Sequence, residues 1–362
     1  AADVAAPSAT AFFYQTGELW GIDRVFAPTA WEAGITGSHD TVVAVIDTGI
    51  AWNHPDLGSN VVHVACYTAA GAVIGPDTTS GPCNPYPTES DHGTHVAGTV
   101  AANFGGGVVG VGPNLGLAGY NTFEFIPGCG VCSFSSSRWL AMIDAAERGF
   151  DVINMSLGSF AAYGGGNTSG LATFVAADNR VANFVIQQGT TIVASAGNSG
   201  ANLNGTNINI PGGLPGIANI GATGIQPAPR FPFPGSFDIR AFYSNFGAAV
   251  TLSAPGGDCG QIGTCNANRP ANWFEYLVLS SVVAPNPTCG ATASCPVGYG
   301  WKGGTSMASP HVAGVAGLVI DENPGLTPNQ VVSILRRTAE NLGNRQDFGH
   351  GMVNAAAALG LE

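Results

Sequence analysis

Charge is what this sequence has least of. Among 362 residues there are 11 Lys plus Arg and 23 Asp plus Glu, 9% in all, against roughly 25% in an ordinary soluble domain. Only one lysine, Lys302, is present. The net charge of −12 excludes the basic face that nucleic acid requires. Long apolar runs are also missing. The longest, His311–Ile320, is about half the length of a membrane span and is expected as a buried helix. No basic segment followed by an apolar core opens the chain, whose first charge is Asp3. It is therefore expected to be a mature product whose leader, if it had one, has been removed. Disorder is excluded by the opposite imbalance, 45% apolar residues with few charges.

What is abundant is glycine, 53 positions, about twice the usual share of ~7%, together with eight cysteines. Cys129-Gly-Val-Cys132 has zinc-like spacing, but no second Cys or His pair stands at a matching interval. An even cysteine set among Gly-, Asn-, Ser- and Thr-rich loops reads better as the disulfides of an exported protein. Pairing sequential neighbours closes the shortest loops: Cys66–Cys83, Cys129–Cys132, Cys259–Cys265 and Cys289–Cys295. Spacing does not exclude other connectivities.

Along the chain, Thr41–Ile46 is a short β-branched apolar run of the kind buried inside a parallel sheet. A loop is expected over about 66–91, a helix over His92–Ala102 and another over Ser137–Arg148. Strands follow at Asp151–Met155 and Thr190–Ser195. Residues 258–300 form a Cys-, Asn- and Pro-rich excursion, and helices Thr305–Glu322 and Thr327–Asn341 close the chain. Strand–helix alternation predicts an α/β fold, a doubly wound, mainly parallel sheet flanked by helices. With no repeat and no low-complexity linker, a single domain over 1–362 is expected.

Three polar clusters stand at the ends of these elements: Val45-Ile-Asp47-Thr-Gly49, Asp91-His92-Gly-Thr-His95-Val-Ala-Gly98, and Gly304-Thr-Ser306-Met-Ala-Ser-Pro-His-Val-Ala-Gly314. Each alone has an ordinary explanation as turn, cap or packing. Together, in Asp…His…Ser order, they resemble the subtilisin-like serine proteases, the subtilases. Asn154-Met-Ser-Leu-Gly158, Ala194-Ser-Ala-Gly-Asn198, Ser253-Ala-Pro-Gly256 and Phe348-Gly-His-Gly-Met-Val-Asn354 extend the match from about Gly21 to the last helix.

The resemblance implies a subtilisin-like fold and a secreted, extracellular serine endopeptidase acting on protein and peptide substrates, without nucleic-acid or membrane partners and as a monomer. A serine hydroxyl needs a base to take its proton, and an imidazole needs a carboxylate to fix its tautomer. Ser306 is therefore the expected nucleophile, His92 the base and Asp47 the orienting acid. The Asn198 amide is the expected oxyanion donor, and His95 and His311 are packing residues. By the same resemblance, Ser156-Leu157-Gly158 and Gly128-Cys129-Gly130 flank an extended substrate, and Ala196-Gly197 line the pocket for the P1 side chain. A Cys129–Cys132 bridge would stiffen one wall of that cleft. No acid aligns to the P1 pocket, so a broad or apolar P1 preference is expected rather than cleavage after a basic pair. The family implies a structural calcium with Asp56 as a ligand, although Asn103-Phe-Gly-Gly-Gly107 offers few side-chain oxygens to complete the site. It also implies folding with an N-terminal propeptide, later cleaved. Departures from the family pattern are an N-terminal extension over 1–20 and Cys-containing insertions over 66–90 and 258–300.

Overall fold

A computed structural model of the chain describes residues 11–76, 81–162, 168–226, 237–259, 271–284 and 295–361. Its strands are β1 (Val42–Asp47), β2 (Val61–Thr68), β3 (Gly71–Ile74), β4 (Gly116–Asn121), β5 (Phe123–Ile126), β6 (Gly130–Ser133), β7 (Val152–Met155), β8 (Ser159–Ala162), β9 (Thr191–Ser195), β10 (Asn207–Ile210), β11 (Ala218–Gln226), β12 (Phe237–Arg240), β13 (Leu252–Pro255), β14 (Val278–Val283) and β15 (Val297–Lys302). The main sheet runs β12-β11-β9-β7-β1-β4-β2-β3, with β13 also pairing β11. Its pairs are parallel except β2–β3 and β11–β12 at the two edges. This is the mainly parallel α/β arrangement expected.

The longer helices are α1 (His92–Ala101), α2 (Ser135–Glu147), α3 (Thr168–Gln187), α4 (Thr305–Glu322) and α5 (Pro328–Thr338). All six residues of β1 are buried, as a strand covered on both faces requires. Period-two alternation sends Val43 and Val45 into one core with α1 and α4, and Val42, Ala44 and Ile46 into another with α2 and α3. Helix α4 is buried continuously from Met307 to Ile320, so it is packed all round. Thr327 caps α5 through a capping box with Gln330.

Several elements differ from the expectation. The 66–91 loop begins inside the β2–β3 hairpin. The 258–300 excursion contains the start of the antiparallel pair β14–β15, against which α1 packs. Neither β4, with its Gly-Leu-Ala-Gly-Tyr-Asn sequence, nor α3 was signalled by a strong pattern. In the N-terminal extension, Phe13 N–H donates to Gly107 O at 2.8 Å, and its ring meets Tyr299 edge-on at 5.0 Å; residues 1–10 lie outside the described set.

Candidate active site

The expected catalytic residues arrive from three elements. Asp47 ends β1, His92 opens α1 and Ser306 lies in the first turn of α4. His92 Nδ1 is 2.8 Å from Asp47 Oδ1, and that oxygen also accepts the Thr48 N–H at 2.8 Å. Asp47 is 1% exposed, and its other carboxylate oxygen has no hydrogen-bond partner among the described residues. Gly93 makes this approach possible. A Cβ there would stand 2.4 Å from Gly49 O and 3.1 Å from Asp47 Cβ, so a larger residue would push the start of α1 away from β1.

Burial alone would lower the pKa of His92. The charge and hydrogen bond of Asp47 outweigh it, and the net shift is upward from 6.5. Lys302 opposes that rise and Asp91 adds to it. These two pair with each other, Lys302 Nζ lying 2.9 Å from Asp91 Oδ1. The other histidines near the triad behave differently. His95 is fully buried and its Nε2–H faces Val278 O and Gly300 O at 3.1 and 3.0 Å, tying α1 to the β14–β15 pair. His311 Nδ1–H donates to Met307 O at 2.8 Å. Burial drives their pKa values down to about 3 and about 4, so both are neutral packing groups at working pH.

Ser306 is held by an exchange of hydrogen bonds. Pro310 has no N–H to give to the carbonyl four residues earlier, and Ser156 Oγ supplies the missing donor to Ser306 O at 2.7 Å. In return Ser306 Oγ donates to Ser156 O at 3.1 Å. Asn154 Nδ2 donates to Ser156 Oγ at 3.0 Å and Asn154 Oδ1 accepts from Ser309 Oγ at 2.6 Å, fixing the turn of α4 to the end of β7. The Ser306 hydroxyl thus points at a main-chain carbonyl at rest, and rotation about χ1 is what would turn it towards His92; such looseness before substrate arrives is common.

Asn198 is oriented by Thr305. Its Oδ1 accepts both the Thr305 N–H at 2.9 Å and the Thr305 hydroxyl at 2.7 Å, while that hydroxyl accepts the Gly197 N–H at 3.1 Å. With its oxygen fixed by two donors, the amide's orientation is set, and its NH₂ makes no hydrogen bond among the described residues on the cleft it shares with Ser306. Thr305 was overlooked as a functional residue; its only sequence signal was its place immediately before Ser306.

A cleft of about 680 Å³ joins these groups. Of the residues expected at the site, His92, Ser156, Leu157, Gly158, Gly197, Asn198 and Ser306 line it. Ala196 does not, being fully buried behind the wall with its carbonyl accepting from Asn245 Nδ2 at 2.8 Å. Gly128-Cys129-Gly130 falls at the turn of the β5–β6 hairpin, and the hairpin residues that reach the cleft are Phe123 and Val131. Cys129 instead lines an adjoining recess with Leu157, Gly158 and Arg138. Phe160, Asn209 and Glu89 also line the cleft and had no sequence signal.

The structure bonds Cys66 to Cys83 and Cys129 to Cys132, with Cα–Cα distances of 6.1 and 6.2 Å. Cys259 and Cys295 are also disulfide-bonded; the pairs expected for them involve Cys265 and Cys289, which lie outside the described residues.

The surroundings of Asp56, as they stand, are those of a hydrogen-bonded carboxylate rather than of a calcium site. Its carboxylate accepts the N–H groups of Gly107, at 3.3 and 3.2 Å to its two oxygens, and Val108, at 3.0 Å, and the Tyr299 hydroxyl at 3.2 Å. A cation needs oxygen ligands turned towards it, whereas here the carboxylate meets hydrogen-bond donors. A Cβ on Gly106 would overlap Asp56 Oδ1, so the short glycine loop closes directly on the acid.

A family model described as "Subtilase family" matches residues 38–352. The chain is 35% identical to "Alkaline elastase YaB" of Bacillus sp. (strain YaB) over 94% of its own length and 69% of that protein. It is 33% identical to "Subtilisin" of Bacillus pumilus, covering 94% of this chain and 98% of that one. Among solved structures, a protease from Pseudoalteromonas arctica PAMC 21717 is 29% identical, with a TM-score of 0.71 over 95% of this chain and 96% of the other.

Proposed function

Given that the chain belongs to the subtilase family and is a serine endopeptidase, we propose that it is a secreted enzyme hydrolysing peptide bonds of proteins through Asp47, His92 and Ser306. The observation that carries this reading is the conjunction of the 2.8 Å Asp47–His92 contact with a nucleophile and an oriented amide on the same cleft. His92 Nδ1–H is held by Asp47, so Nε2 is the free basic nitrogen that takes the Ser306 proton as Oγ attacks the P1 carbonyl carbon. The negative charge that develops on the carbonyl oxygen meets the Asn198 NH₂ and the N-terminal N–H groups of α4. Imidazolium then gives the proton to the leaving amine, leaving an acyl-enzyme. Water, deprotonated by the same imidazole, hydrolyses that ester and restores Ser306.

The P1 walls near Leu157, Gly158, Ser195, Gly197 and Asn209 carry no charge, which supports a broad or apolar P1 preference over cleavage after a basic pair. We further propose that the enzyme matures from a precursor with its own propeptide and acts extracellularly as a monomer. Cleavage of a peptide library by wild type beside Ser306→Ala tests the mechanism; equal cleavage by the variant would sink it.

A further inference from the structure

The described parts of the 66–90 insertion have no part in the chemistry above, yet they are anchored beside the site. Cys83 is bonded to Cys66 on β2. Tyr86 is 1% exposed, stacks edge-on against Trp52 at 4.8 Å and donates to Asn53 Oδ1 at 2.6 Å. Asn121 Nδ2, at the end of β4, donates to Asn84 O at 2.8 Å. At the other end of the insertion, Thr48 Oγ1 donates to Ser90 O at 3.0 Å and Ser90 Oγ accepts the His92 N–H at 3.2 Å. Between these anchors stands Glu89, exposed and on the His92 side of the cleft.

Among the described residues Glu89 is the only carboxylate lining the cleft, and no cation pairs with it. The nearby acids are engaged: Asp47 with His92 and Asp91 with Lys302. In a chain so poor in charge, this unpaired carboxylate stands three residues before His92. A substrate laid out as a strand alternates its side chains. If P1 turns into the uncharged pocket by Gly197, the residue before it turns towards the opposite wall of Glu89, Ser90 and His92.

We infer that Glu89 selects a cationic side chain, Lys or Arg, at P2, the substrate residue immediately before P1, and that the Cys66–Cys83 insertion serves to present it. The inference rests on the protease reading above and adds a substrate class to it. It combines a basic P2 with an uncharged P1, so it differs from recognition of a basic pair.

The test uses peptides identical except at P2, carrying Lys, Arg, Gln or Glu before a fixed Leu at P1. The readout is the ratio of kcat/KM values within each enzyme, so any general loss in a variant cancels. Wild type should cleave the Lys and Arg peptides up to about fivefold faster than the Gln peptide at low salt, the size of one exposed ion pair. The Glu peptide should be the slowest. At about 1 M salt, where screening acts within ~3 Å, the ratios should collapse towards one. Glu89→Gln should level them, and Glu89→Arg should reverse the order of Lys and Glu. A wild-type profile indifferent to P2 charge, or a Lys and Arg advantage that survives Glu89→Gln, overturns the inference. Cleavage of none of the peptides, or equal cleavage by Ser306→Ala, would instead overturn the protease reading beneath it.

Discussion

Replacing Thr305 by Val probes the oxyanion donor without touching it. The two side chains have nearly the same shape, and the site is fully buried, so the change removes one hydroxyl and little else. Asn198 Oδ1 would lose its 2.7 Å donor and keep the 2.9 Å main-chain one. The Gly197 N–H would lose its 3.1 Å acceptor. A fully buried N–H left without an acceptor costs about 1–3 kcal/mol; Gly197 is part-buried beside the cleft, so the expected loss of stability in thermal or denaturant unfolding lies at or below the low end of that range. Removing an oxyanion donor altogether costs about 10²–10³ in kcat, a figure from a subtilisin and so borrowed from this chain's own family. An amide that keeps one of two tethers should lose only part of that, roughly tenfold in kcat with KM little changed, since the donor acts mainly on the developing charge. The double mutant supplies the sharper measurement. If Thr305 works only by aiming Asn198, adding Thr305→Val to Asn198→Ala should leave kcat unchanged. A kcat for the single mutant within about twofold of wild type, or a further tenfold drop in the Asn198→Ala background, would refute the reasoning.

Other outcomes follow from the same contacts. Asp47→Asn should lower kcat by about 10⁴, because an amide no longer fixes the Nδ1–H tautomer of His92. The protonated His92 cannot act as base, so wild-type kcat/KM should fall as pH drops through a midpoint above 6.5; Asp47→Asn should move that midpoint down. Asp56→Asn should lower the melting temperature, since it takes the charge away from the Gly107 and Val108 N–H groups. Any calcium-dependent rise in melting temperature should be equal in wild type and variant; its loss in the variant would place the metal at Asp56 after all. Opening the bridge with Cys66→Ser and Cys83→Ser, 17 residues apart, should cost about 3 kcal/mol in denaturant unfolding. It should also blunt the P2 charge preference, and a preference that persists undiminished would separate the bridge from substrate recognition.

The residues proposed to carry the chemistry were legible because their sequence context fixes their place. Asp47 closes a β-branched run, and His92 and Ser306 open helices; such ends lie where a parallel sheet gathers its site. Thr305 stayed hidden because its role depends on a hydrogen bond to a loop 107 residues away. Glu89 stayed hidden because an isolated acid in a loop has no periodicity, and only the packing of Tyr86 and the Cys66–Cys83 bridge turns it to the cleft. Ala196 and Gly128–Gly130 follow the matched motifs along the chain, but Ala196 is fully buried and the glycine pair makes a turn beside an adjoining recess. Asp56 matches a calcium ligand by position, while its neighbours here are hydrogen-bond donors that position alone does not reveal. Strand β4, glycine-rich and lacking a β-branched run, forms because β1 and β2 flank it, a tertiary effect no local propensity reports.

The solitary lysine has a practical side. Reagents that couple proteins to supports or dyes through amines usually find many targets and scatter over a surface. On this chain the only ε-amine belongs to Lys302, which ends β15 four residues before the nucleophile and reaches across to the residue preceding the base. Conjugation there would place the label beside Asp91, next to His92, and replace a fixed cation with an uncharged amide. Attachment through the 23 carboxylates would spread over the molecule instead.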